Sequence, residues 1–163
     1  MSSDPDQCCF ILLVRKYGRK KEQHVTRSSV KDSIEVLPGT LLLLVDGSYV
    51  RGKLLFETFD FDKTIEVDCE RSEEVKGIQS YVVDLLRPIP TCQERLEVFK
   101  DPEWINEGLK LKIGDRVFVK LKGASEELRG RLQYKGRDFP ESKGVVFGVE
   151  LDVSEHFLFF SLN

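Results

Sequence analysis

Apolar residues in this chain come in short packets separated by turn formers. The longest, Phe10-Ile11-Leu12-Leu13-Val14 and Leu41-Leu42-Leu43-Leu44-Val45, have the length of buried strands and fall far short of the ~18 residues a bilayer-crossing helix needs. Pro38-Gly39 precedes the second packet and Asp46-Gly47, a strong hairpin signal, follows it. A chain cut this way folds as strands, and the expectation is a mainly β protein.

Strand readings run along most of the 163 residues. Cys9 to Val14 is a strand, and the basic run Arg15 to Lys21 reads as a solvated charged turn. Thr40 to Val45 and Tyr49 to Phe56 form a hairpin about Asp46-Gly47. Glu57 to Lys76, rich in Asp and Glu, reads as a loop or irregular edge, with a strand at Thr64 to Val67. Ser80 to Leu86 reads as a strand stopped by Pro88 and Pro90.

The pattern then changes. Thr91 followed by Glu94 is a capping box, and Leu96 and Phe99 share one helical face, so a short linker helix is expected. Trp104, the only tryptophan, serves either as a binding aromatic or as packing against a neighbouring domain. From Gly114 strands resume: Val117, Val119 and Leu121 alternate with Arg116, Phe118 and Lys120, and Arg129 to Gly136 and Val145 to Leu151 follow.

Two β segments separated by a helix suggest a repeat. Pro38-Gly39-Thr40-Leu41-Leu42 aligns with Ile113-Gly114-Asp115-Arg116-Val117, Val50 to Leu54 with Leu128 to Leu132, and Tyr81 to Leu86 with Val145 to Leu151. The expected architecture is two small SH3-like β-barrels, at 9–89 and 108–163, joined by a helical linker at 90–107 and preceded by a disordered stretch at 1–8.

Charge and cysteine content narrow the chemistry. A net charge of -3 offers no global field toward nucleic acid or anionic membrane, so neither is expected as a partner. The acidic start MSSDPDQCC lacks the basic region of an export signal, which points to a cytoplasmic protein. Cys8, Cys9, Cys69 and Cys92 form no C-x-x-C, and His24 and His156 lie far from them, so no metal or other cofactor is expected.

The glycines carry a resemblance. G-D-R-V at Gly114 to Val117, G-R-L-Q-Y-K-G at Gly130 to Gly136 and G-V-V-F-G-V-E-L-D at Gly144 to Asp152 resemble the first two-thirds of a CAP-Gly domain. Together with T-C-Q-E-R-L-E-V-F-K at Thr91 to Lys100 and E-G-L-K-L at Glu107 to Leu111, the chain is similar to the amino-terminal docking region of the CYLD-type deubiquitinases. The resemblance implies a non-catalytic module that binds microtubules through acidic tubulin tails, or adaptor proteins of ubiquitin signalling, with cytoskeletal association. It implies a ligand groove at Phe147, flanked by Tyr134 and Arg131, beside a basic patch of Arg129, Arg131, Lys135 and Arg137.

The sequence departs from that family after Asp152. The G-K-N-D-G loop that completes a CAP-Gly groove is replaced by VSEHFLFFSLN, so the second barrel is expected to be incomplete. Phe157 to Phe160 either supply a substitute closing strand or leave an apolar edge that favours self-association. No cysteine lies in a deubiquitinase-type box, so no catalytic residue is expected. Two other readings stay open: a Tudor-like reader with a cage of Tyr49, Phe56, Phe59 and Phe61, and a regulatory short isoform of a longer enzyme.

Overall fold

The computed structural model describes residues 8–20, 33–60, 62–68, 70, 72–121, 123–139, 143–152 and 157–161. The expected disordered start, apart from Cys8, lies outside the described residues, as do His24, Phe61, Cys69 and His156. The protein is mainly β, and the chain divides into two compact units, 1–83 and 84–163.

Among the described residues seven strands build the first unit: β1 (Cys9–Leu12), β2 (Lys16–Lys20), β3 (Ser33–Val36), β4 (Leu41–Leu44), β5 (Lys53–Thr58), β6 (Lys63–Asp68) and β7 (Val75–Ile78). They pair antiparallel in the order β3-β2-β6-β5-β4-β1-β7, a curled half-barrel sheet. Its core is Leu12, Val36, Leu42, Phe56, Ile65 and Val67, with Phe10 edge-on to Phe56 at 5.1 Å between ring centroids.

Two local readings change here. The basic run is strand β2 rather than a turn, because Tyr17 to Arg19 pair with β3 while Gly18, buried, sits against the Thr64 backbone and Ile65. In the acidic stretch the strand expected at Thr64 to Val67 is β6, with Ile65 and Val67 alternating into the core, but the rest is not only loop, since a 3-10 turn leads into β7. Asp46-Gly47 does turn the chain, but the tight reversal lies at Arg51-Gly52, both at positive φ, 52° and 77°. Val50 and Lys53 exchange two 3.0 Å backbone hydrogen bonds across them, the pattern of a two-residue hairpin turn with left-handed central residues.

Ser80 to Leu86 is helix α1 (Ser80–Leu86), not a strand. A short apolar run does not separate strand from buried helix by its periodicity. Burial of Val83 and Leu86, one turn apart, with Leu85 and Ile89, outweighs the strand preference of Tyr81-Val82-Val83.

The linker helix is two helices, α2 (Cys92–Phe99) and α3 (Pro102–Lys110). The capping box forms as read: the Thr91 hydroxyl accepts from the Glu94 N–H at 3.2 Å and donates to the Glu94 carboxylate at 2.7 Å. Asp101 caps α3 in the same way, accepting from the Trp104 N–H at 3.0 Å, with Pro102 in the first turn where its missing N–H costs nothing.

The four-stranded sheet of the second unit has the order β11-β10-β9-β8, from β8 (Arg116–Lys120), β9 (Glu127–Gly136), β10 (Val146–Leu151) and β11 (Phe157–Phe160). The substitute strand is therefore what the divergent tail supplies: β11 pairs along β10, Gly148 opposite Phe159. Gly130 marks a close approach of β9 and β10, since a Cβ there would lie 2.6 Å from the Glu150 carbonyl oxygen.

Of the proposed repeat only the turn at Gly39 and Gly114 is shared. Gly39 donates to Leu12 O and Leu12 donates to Thr40 O; at the aligned positions Gly114 donates to Leu132 O and Leu132 to Asp115 O. The other two aligned pairs fail: Val50 to Leu54 turns at Arg51-Gly52 where Leu128 to Leu132 runs inside β9, and Tyr81 to Leu86 is helical where Val145 to Leu151 holds β10.

Candidate functional site

In the second unit α3 and the sheet enclose a pocket of about 420 Å³. Trp104, Gly108 and Leu111 line it from the helical side, and Val117, Phe118, Leu132, Phe147 and Val149 from the strands. The walls are mainly apolar. Glu107, Arg116 and Glu127 supply its polar groups, a composition suited to an apolar side chain held by a few charged contacts.

The residues singled out from sequence fall in different places. Phe147 is 1% exposed and still lines the pocket, so it serves both core and site. Tyr134 is half-buried with its ring edge-on to Phe159, 6.2 Å between centroids, and its hydroxyl has no hydrogen-bond partner among the described residues. Arg131 is exposed, across from Arg116 on one side and Glu150 on the other. Arg129 is exposed and lies over the Phe118 ring at 5.5 Å, a cation–π contact.

Lys135 and Arg137 are engaged elsewhere. The Lys135 ammonium donates to the carbonyl oxygens of Gly108, Leu109 and Leu111 at 2.9, 2.8 and 2.9 Å, closing the C-terminal end of α3. Burial pushes its pKa down, with Asp115 opposing that shift. Arg137 pairs with the Asp84 carboxylate. The positive charge this face offers is therefore mainly that of Arg129 and Arg131.

Arg116 and Asp152 close the rim as a two-point pair, one arm at 2.8 Å. That hydrogen bonding holds the Asp152 carboxyl below its usual range, with desolvation opposing it. Sequence reading put Arg116 and Phe118 on the exposed side of β8 without assigning them to a site. The signal was there in Phe118, a large aromatic on the polar side of an alternating strand, 64% exposed.

The Tudor-like cage does not assemble. Phe56 is fully buried in the first unit's core, where its ring has no face left for a ligand, and Phe61 lies outside the described residues. Among the described residues no group of three His, Cys, Asp or Glu side chains is placed to hold a metal ion, and no helix is long and apolar enough to cross a membrane.

Fold and site together define a mainly β protein whose second unit is a glycine-dependent four-stranded sheet with an apolar pocket. Its sequence is similar to the ubiquitin carboxyl-terminal hydrolase CYLD: it is 32% identical over 81 residues to the human, mouse and cattle proteins. The match takes in 48% of this chain and 8% of the length of those relatives. No family model matches the chain, and no solved structure matches it.

Proposed function

We propose that the chain is a non-catalytic interaction module related to the docking region of CYLD-type deubiquitinases, and that its second unit binds acidic tails of tubulin on microtubules or acidic segments of adaptor proteins. The observation that carries the reading is the apolar pocket lined by Phe147 and Phe118, with the Arg129 cation over the Phe118 ring and Arg131 exposed opposite Arg116. Apolar contact supplies affinity there, and the two guanidiniums select and steer acidic partners. The similarity to CYLD supports the same reading.

Co-sedimentation with stabilised microtubules at low salt tests it. Pelleting falls when Arg129 and Arg131 are reversed to Glu and weakens as salt screens the attraction. Pelleting indifferent to both changes, or none at low salt, overturns the microtubule reading.

A further inference from the structure

The exposed large apolar residues of the second unit are not scattered. Trp104 belongs to α3, Phe118 lies on β8, Leu121 immediately follows it, and Ile113 lies in the link between α3 and β8. β8 is also an open edge: it pairs with β9, and no other strand among the described residues pairs with it. The pocket is contiguous with that edge through Arg116, Val117 and Phe118.

The register fixes which backbone groups face outward. Leu132 donates to Asp115 O at 2.9 Å, and Asp152 donates to Arg129 O at 3.0 Å on the opposite side of β9. With Val117 opposite Gly130 and Val119 opposite Leu128, these are the positions bonded to β9. Arg116, Phe118 and Lys120 therefore turn their N–H and C=O groups away from it.

We infer that β8 is an acceptor edge on which a partner's extended acidic segment adds as a further antiparallel strand; this rests on the proposed function and specifies how the partner is held. The occupant follows from the side chains at alternate positions, Arg116, Phe118 and Lys120, all exposed. A complementary strand reads acidic, any residue, apolar, any residue, acidic. A second copy of this edge centred on Phe118 sets Arg116 against Lys120 of its partner, a like-charge contact that disfavours self-pairing. Asp152 takes two donors of Arg116 and leaves others for an incoming carboxylate. Main-chain hydrogen bonds hold such a strand, and its apolar side chain packs across from Phe118.

The test uses the whole chain and a fluorescein-labelled peptide with the core Glu-Thr-Phe-Thr-Glu, against a control with Lys in place of Glu. Anisotropy at low salt reads binding, and amide exchange reads the backbone. Binding of the Glu peptide alone, with exchange at Arg116, Phe118 and Lys120 slowed about tenfold while Val117 and Val119 stay unchanged, supports the inference. Phe118→Pro removes one outward N–H and weakens binding about tenfold; the exchange measurement needs no variant and stands if that one fails to fold. Binding without slowed exchange at those amides overturns strand addition and leaves the proposed function standing. No binding up to millimolar peptide overturns both, and a dimer sealed through β8 in light scattering replaces the acidic partner with a second copy.

Discussion

Replacing Lys135 by Met separates a helix cap from a surface charge. The substitution keeps an unbranched stem and removes the three N–H···O bonds that end α3. A hydrogen bond to a charged group nets about 1.5–3 kcal/mol, but three acceptors share one ammonium and their contributions do not sum. The ammonium's favourable position at the negative end of the helix adds about 0.3–1 kcal/mol. Against these stands the desolvation that lowers the Lys135 pKa and is relieved on substitution. The balance is a loss of about 2 kcal/mol, which at an m-value of about 1.5 kcal/mol/M lowers the urea midpoint by a little over 1 M. Trp104 lies on the helix in question and is 43% exposed, so its fluorescence follows the transition directly. A change below about 0.5 kcal/mol, the range of ordinary surface substitutions, refutes the capping argument and returns Lys135 to the basic patch.

Three further outcomes follow from the same sheet. Gly130→Ala forces a methyl against the Glu150 carbonyl and Val149, costing about 1–3 kcal/mol and lowering the melting temperature of the unit by roughly 5–15 °C, readable by circular dichroism. Because the Asp152 pKa is depressed in the folded state, its pair with Arg116 contributes stability above the unfolded carboxyl pKa, and that contribution is lost as pH falls through the depressed value. Carboxyl carbon NMR shows the Asp152 midpoint moving up in Arg116→Ala. Deleting residues 154–163 removes β11 from the β10 edge and Phe159 from Tyr134 and Phe139; light scattering rises with concentration, and an unchanged monodisperse profile contradicts the self-association expected of that edge.

Legibility tracked the range of the interactions involved. The capping box at Thr91 and the turn at Asp46-Gly47 are local, and both were readable because the residues that make them are neighbours. The strand alternation of β8 was equally local. Ser80 to Leu86 was misread because its fate depends on where Val83, Leu85 and Leu86 are buried, which the heptapeptide does not encode. The site divided the same way. Phe147 carried a family resemblance and does line a pocket, but the α3 wall with Trp104 and Leu111 is a tertiary feature. Lys135 looked like any exposed cation on a strand, and only the return of α3 beside it shows the three carbonyls it holds.

The most direct test of the account is a titration of an acidic tubulin-tail peptide into the isotope-labelled chain at low salt, followed residue by residue by NMR. The account predicts saturable shifts centred on Phe118, Arg129, Arg131 and Phe147, abolished by reversing the two arginines to Glu. Shifts confined to residues of the first unit, or none at millimolar peptide, contradict it.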